Sequence, residues 1–144
     1  MTSGPMTQHA MAFTVAEEIR KFNPGIRLIA QNPGYRDCTF EVKGQFGAGA
    51  FVDVDDESLV ISAYASAPVR EIIADIAKPA MIIATFWDSG IVADEKSKPF
   101  LDADSPRTME MWESYERTEF PVSNMERELL EFGTHLEVSL FSRK

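Results

Sequence analysis

One proline inside the longest apolar stretch limits most strongly what this chain can fold into. Apolar side chains recur at helical spacing on both sides of Pro79, at Val69, Ile72, Ile73, Ile76, Ala80, Ile83 and Trp87. Proline lacks a backbone N–H and disfavours helical geometry in the residue before it. The stretch is therefore predicted to be a kinked helix, or two pieces that meet at Lys78. The second piece, AMIIATFW, is apolar on all sides, so a buried strand fits it as well as a helix.

The residues before this stretch predict a short helix followed by four strands. Thr14 and Glu17 have the spacing of a capping box, with Val15, Ile19 and Phe22 on one helical face behind them. Four segments with strand composition follow, over residues 26–31, 38–44, 50–55 and 59–65. Because they lie close together in sequence, we expect them to form an antiparallel meander.

Asn-Pro-Gly occurs twice in this region, in NPGIR from Asn23 and in NPGYR from Asn32. Proline and glycine in consecutive positions are typical of a type II turn, in which glycine takes a positive φ. Both copies are therefore interpreted as turns. Two arginines that share an anion site are the alternative, and nothing in the sequence requires it.

The last third of the chain predicts an acidic helical region and a closing strand. Residues 88–107 have little pattern and would form a long acidic loop, and residues 109–120 are compatible with a helix. A second capping box begins at Ser123, and apolar residues alternate from Leu136 to Leu140 as in a strand that joins the sheet. The predicted organisation is an N-terminal arm over residues 1–13 and a single α+β domain over residues 14–144.

The charge of the chain excludes some classes of function and permits others. The net charge is −9, and residues 51–144 hold nineteen acidic and nine basic residues. Nucleic-acid binding depends mainly on Lys and Arg against phosphates, so direct binding is not expected. A basic protein surface is an allowed partner. No apolar run is long enough to cross a bilayer, and a single cysteine with no signal-peptide pattern predicts a cytoplasmic location.

The chain does not match the residue spacing of most known catalytic and metal-binding motifs. A calcium loop from Asp53 would need glycine and glutamate where the chain has Ser58 and Tyr64, so a hairpin turn is preferred. The glycines at 44, 47 and 49 lack the Gly-Lys-Ser/Thr ending of a phosphate loop. One cysteine, Cys38, and two histidines, His9 and His135, give thin support for a thiolate pair or a zinc site. We therefore expect no cofactor and no metal, and the chain leans away from being an enzyme. An enzyme that uses carboxylate chemistry is a weaker alternative, with Cys38 and Ser89 as the less favoured candidates for a nucleophile.

Acidic and aromatic side chains interleave between residues 109 and 120, and they are the candidates for binding a partner. Glutamates recur every third residue from Glu110 to Glu119 among the aromatic rings. Aromatic residues anchor protein interfaces, and acidic residues complement a basic partner. Two other interpretations of this segment remain. One is a helix that covers the core with some of its rings half exposed to solvent, and the other is a segment that becomes ordered only when it binds a partner. The partner-binding candidates are Trp112, Glu113, Tyr115, Glu116, Glu119 and Phe120.

Two kinds of function follow from these patterns. The first is a structural or assembly protein, a subunit of a homo-oligomer or of a larger particle such as a viral one, which acts through protein–protein contacts. The second is an acidic inhibitor or adaptor that binds a basic protein surface, in the extreme by imitating nucleic-acid charge. Affinity for the partner that falls steeply with salt would favour the second.

Overall fold

The structure is a computed structural model that describes residues 4–31, 43–45, 49–62, 65, 67–87, 102, 104–119 and 136–144. Contacts within the chain divide it into two compact units, Met1–Asp53 and Val54–Lys144. Helices and a mixed sheet make the fold α+β, as predicted. The predicted division into an arm and one domain stays a prediction.

Helix α1 of the first unit, Gly4–Arg20, is longer than predicted. Thr14 lies inside it and does not cap its start, because the Thr14 hydroxyl donates to the Ala10 carbonyl at 2.8 Å. A hydroxyl that bonds the carbonyl four residues back fits within a helix, so the capping-box spacing was misleading here. The predicted turn after the helix is present, and the Asn23 side chain accepts the Gly25 N–H at 3.2 Å. Gly25 does not take a positive φ, so the turn is not type II. The second Asn-Pro-Gly lies outside the described residues.

The predicted antiparallel meander is wrong. Strands β1, Ile29–Gln31, and β2, Lys43–Gln45, pair in parallel, and Gly49–Asp53 form a 3-10 helix. Val52, within the segment 50–55 that was predicted to be a strand, is 88% exposed. Alternating apolar residues stabilise a strand only where a neighbouring strand and a core receive them, and β propensity therefore depends on context.

The acidic run before the third strand forms a turn and not the predicted two-stranded hairpin. The Asp55 carboxylate accepts the Glu57 N–H at 3.1 Å and the Ser58 hydroxyl at 2.7 Å. Asp and Ser side chains commonly stabilise turns by such hydrogen bonds to groups two or three residues away. The residues that enter the turn come from the 3-10 helix, so the turn leads from that helix into the strand that follows.

The second unit contains a four-stranded sheet with the strand order β3-β4-β6-β5. Its elements are β3 (Leu59–Ser62), α2 (Val69–Ile76), β4 (Met81–Trp87), α3 (Pro106–Trp112), β5 (Tyr115–Glu119) and β6 (Leu136–Arg143). β3 and β4 are parallel, as expected for strands joined through a helix, and β6 is antiparallel to both β4 and β5. The prediction that the C-terminal strand joins the sheet is confirmed.

Pro79 separates a helix from a strand, so the predicted kinked helix is wrong and the alternative of two pieces is right. α2 ends at Ile76, and β4 begins at Met81. β4 lies between β3 and β6, and both of its faces are buried: Ile82, Ile83 and Ala84 are 1%, 4% and 2% exposed. A strand covered on both faces is a continuous apolar run, which is why periodicity could not identify it.

The predicted acidic helical region is also wrong in its second half. α3 begins earlier than predicted, at Pro106, with Ser105 and Thr108 forming a reciprocal capping box. It ends at Trp112, and a turn leads directly into β5. β5 is held by pairing with β6, whose paired residues lie twenty to twenty-eight positions later in the chain. Contacts of this range leave no local pattern.

The two central strands of this sheet, β4 and β6, are buried on both faces. Ile82 lies opposite Phe141 in register, so both side chains share the face to which Trp112 of α3 packs. Ile83 lies opposite Leu140 on the other face. There Ile83 and Val138 are buried, with partly buried apolar neighbours at Leu59, Ile61 and Leu140.

Candidate functional site

Strand β5 forms an edge of the four-stranded sheet. β6 pairs along one side, and within the described parts of the chain no strand pairs along the other. We call this outer side of Tyr115–Glu119 the β5 edge. Its last four residues, Glu116, Arg117, Thr118 and Glu119, are all exposed. Side chains therefore reach solvent on both faces of the strand, as they do at an edge that can receive another chain.

The register decides which backbone groups of β5 point outward. The Ser114 carbonyl accepts the Lys144 N–H at 3.0 Å, and these two residues continue the register of β5 with β6. Hydrogen-bonded and non-hydrogen-bonded pairs alternate along an antiparallel ladder. Glu116 and Thr118 therefore bond to β6. The backbone N–H and C=O groups of Tyr115, Arg117 and Glu119 point away from β6, toward the β5 edge.

Two side chains attach β5 firmly to the sheet. Tyr115 is 5% exposed, and its hydroxyl donates to the Pro79 carbonyl at 2.7 Å. Burial raises the pKa of the Tyr115 hydroxyl, so it stays protonated and able to donate. Arg117 Nε donates to the hydroxyl of the fully buried Ser139 at 2.9 Å. The β5 edge is therefore a pre-formed strand that a partner would not have to order.

Trp112 lies at the junction of α3 and β5 and is partly buried. Its ring centroid is 4.3 Å from that of Phe141 and 5.8 Å from that of Tyr115, the second contact being edge-to-face. Its indole N–H donates to Asp104 at 3.4 Å. These contacts bind Trp112 to its own sheet, although part of the residue remains accessible.

The predicted glutamates lie on two elements instead of one helix. Glu113 caps the end of α3, whereas Glu116 and Glu119 lie on β5 and point to opposite faces of the sheet, since they are an odd number of residues apart. With Glu110 of α3, all four side chains are exposed. Phe120, the remaining candidate, lies outside the described residues. The role of all six candidates in binding a partner stays a prediction.

A buried charge cluster, which we call the Arg70 cluster, was missed by the sequence reasoning. Arg70 is 3% exposed, and its guanidinium lies 3.2 Å from Asp102 and 3.0 Å from Asp104. The Asp102 carboxylate also accepts the backbone N–H of Arg70 at 2.8 Å. Pro68 at the start of α2 provides no side-chain cap, and Asp102 supplies that acceptor from thirty-two residues away.

Burial raises the pKa of Asp102, although the Arg70 backbone N–H and guanidinium act to lower it. The Arg70 cluster joins the first turn of α2 to the residues that precede α3. An exposed ion pair between Arg107 and Asp75, at 2.6 Å, connects the same two helices. The cluster therefore has a structural explanation. Only Ser105 and Pro106, a typical helix start, could have indicated where α3 begins.

The described residues provide no support for the other chemistries weighed from the sequence. Among them, no group of three or more His, Cys, Asp or Glu side chains could hold a metal ion. Cys38, Ser89 and His135 lie outside the described part of the chain, as does the side chain of His9. No helix within the described ranges is long and apolar enough to cross a membrane.

Comparison of the chain with protein-family models finds no match, and comparisons with curated proteins and with solved structures find none either.

Proposed function

We propose that this chain is a non-enzymatic assembly protein, a subunit of a homo-oligomer or of a larger particle, which acts through protein–protein contacts. One observation carries the proposal: the β5 edge presents outward backbone groups and exposed side chains on a strand that is already attached to the sheet. Strand addition at such an edge is a common form of recognition, because main-chain hydrogen bonds supply affinity without any special side chain.

The mass of the purified chain in solution tests this proposal. We expect light scattering on a sizing column to give a defined oligomer whose population rises with protein concentration. A mass of 16.1 kDa, that of one chain, at every concentration up to several hundred micromolar would contradict it.

A second candidate function is an acidic inhibitor or adaptor of a basic protein surface. The exposed side chains of Glu110, Glu113, Glu116 and Glu119 favour it, since they add four negative charges to the surface between the end of α3 and the end of β5. Binding of a basic protein, such as a histone or a lysozyme, would then weaken steeply as salt rises. Unchanged affinity between low and physiological salt would exclude this function.

A further inference from the structure

The residues at the end of β6 bind several connections of the second unit at once. Arg143 is the last residue of β6, and Lys144 follows it; we call these two residues the strap. We propose that the strap controls whether β5 stays on the sheet, and that its opening releases β5 from β6 while β3, β4 and β6 stay paired. This inference names a regulation of the β5 edge, so it deepens the proposed function and rests on it.

The first half of the strap binds the loop between α2 and β4. The Arg143 backbone N–H donates to the Ala80 carbonyl at 3.0 Å, and the Arg143 guanidinium donates to the Lys78 carbonyl at 2.7 Å. The guanidinium also lies 3.8 Å from the carboxylate of Asp56, which accepts the Lys78 N–H at 2.8 Å. Arg143 therefore joins this loop to the turn that precedes β3.

The second half of the strap binds the turn between α3 and β5. The Lys144 backbone N–H donates to the Ser114 carbonyl at 3.0 Å, and the Lys144 ammonium donates to the Glu113 carbonyl at 2.8 Å. Both acceptors lie where α3 ends, and a cation near the last carbonyls of a helix is favourable. Lys144 therefore fixes the turn from which β5 begins.

The strap is exposed, whereas the junction beside it is buried. The side chains of Arg143 and Asp56 are 37% and 67% exposed, and Lys144 is exposed as well. At the junction the hydroxyl of the buried Tyr115 donates to the Pro79 carbonyl at 2.7 Å. Water can replace the partners of exposed hydrogen bonds, so these bonds open at a lower free energy than buried ones. The strap should therefore open before the Tyr115 junction does.

The strand order explains why such an opening can be local. Among the described strands β5 pairs with β6 alone, whereas β6 also pairs with β4. Helix α3 has its own attachment to α2, through the ion pair between Arg107 and Asp75. Release of β5 therefore leaves the rest of the sheet paired, as in the local openings that occur below the free energy of global unfolding.

Hydrogen exchange of single amides, measured by NMR on the full chain, tests this inference. The register bonds the amides of Glu116 and Thr118 to β6, and it bonds those of Ser139 and Phe141 to β4. We expect Arg143→Met to speed exchange of the two β5 amides about tenfold. The two amides of β6 that bond to β4 should exchange as in the native chain.

Two further variants sharpen the test. Lys144→Met loses one exposed hydrogen bond, should speed exchange of the β5 amides about threefold, and decides the question if Arg143→Met does not fold. Arg107→Met is the matched control, because Arg107 is an exposed arginine whose ion pair with Asp75 joins α3 to α2, and it should leave the β5 amides unchanged. Equal acceleration between β5 and β6 and between β4 and β6 would overturn the strap, as would exchange that neither strap variant changes.

Light scattering on the same variants separates this inference from the proposed function. Selective exchange at β5 together with a weaker oligomer for Arg143→Met supports both. An oligomer of the native chain without selective exchange in the variants overturns the strap and leaves the assembly function standing. Selective exchange in a chain that is monomeric at every concentration supports the opening of β5 and overturns the assembly function.

Discussion

Charged residues in this protein differ sharply in how much their ion pairs contribute to the stability of the fold. Two Arg–Asp contacts connect α2 with the region of α3, and both span thirty-two residues of sequence. The contact between Arg70 and Asp102 is almost fully buried, whereas the side chains of Arg107 and Asp75 are 56% and 53% exposed. Exposed pairs contribute little because water and salt screen them, but a buried charge that loses its partner is costly.

Replacement of Asp102 by alanine should therefore destabilise the protein strongly. It removes the acceptor of the Arg70 N–H and one of the two carboxylates that the described residues place against the buried guanidinium, so we expect a loss of about 3 kcal/mol. Asp75→Ala is the matched control and should cost less than about 1 kcal/mol. Urea unfolding at pH 7 measures both values. Equal losses for the two variants would contradict the distinction.

The raised pKa of Asp102 predicts a pH dependence with a definite sign. Because the folded pKa lies above the ordinary value of 3.8, the folded state binds this proton more tightly than the unfolded state does. The corresponding stabilisation is complete below the unfolded pKa and is lost as pH rises through the folded pKa.

Asp102→Asn has no such proton, so the stability of the native protein relative to this variant should fall as pH rises from 3.8 through the folded pKa. Above that window the difference should stay constant. Denaturant unfolding at closely spaced acidic pH values checks the slope, and a difference that grows with pH would contradict it.

At the scale of elements, α3 and β5 act as one unit around Trp112. The ring stacks on Phe141 of β6 and meets the edge of Tyr115 at the start of β5. A turn at Glu113 and Ser114 is all that separates the helix from the strand. Packing at this junction therefore positions the β5 edge on the sheet.

Trp112→Ala tests whether the ring belongs to the core or to an interface. We expect a loss of about 3 kcal/mol, at the low end for a truncated aromatic residue because Trp112 is only partly buried. Thermal and urea unfolding of the variant measure it, with Glu113→Ala as an exposed neighbour for comparison. Unchanged stability together with lost self-association would instead identify Trp112 as an anchor for another chain.

At the scale of the whole molecule, net charge opposes self-association. Each copy carries a charge of −9, so two copies repel each other at long range while specific contacts hold at short range. Added salt shortens the Debye length from about 30 Å at 0.01 M to about 8 Å at 0.15 M, which screens the repulsion more than it screens contacts.

Self-association should therefore strengthen when salt rises from 0.01 to 0.15 M, as measured by the dissociation constant for self-association in sedimentation equilibrium. Binding to a basic protein should weaken over the same range. Self-association that instead weakens steeply would show that attraction between opposite charges dominates the interface.

Patterns within about ten residues were enough for several features of the fold. The α+β class, the turn at Asn23, an interruption of the apolar stretch near Pro79 and the closing strand follow from local rules on proline, glycine and apolar spacing. The candidate residues 113, 116 and 119 are exposed, and their role in binding a partner stays a prediction. Each of these outcomes depends on groups that are close together in the chain.

Local sequence patterns could not predict which strands pair or which charged side chains are buried. Whether residues 115–119 form a helix or a strand was decided by β6, and whether Asp102 lies in a loop or caps a distant helix was decided by Arg70. The sequence by itself determined the composition, the charge and the local breaks of this protein. Only the tertiary structure decided which segments pair and which charges are buried, because those free energies arise between residues far apart in the chain.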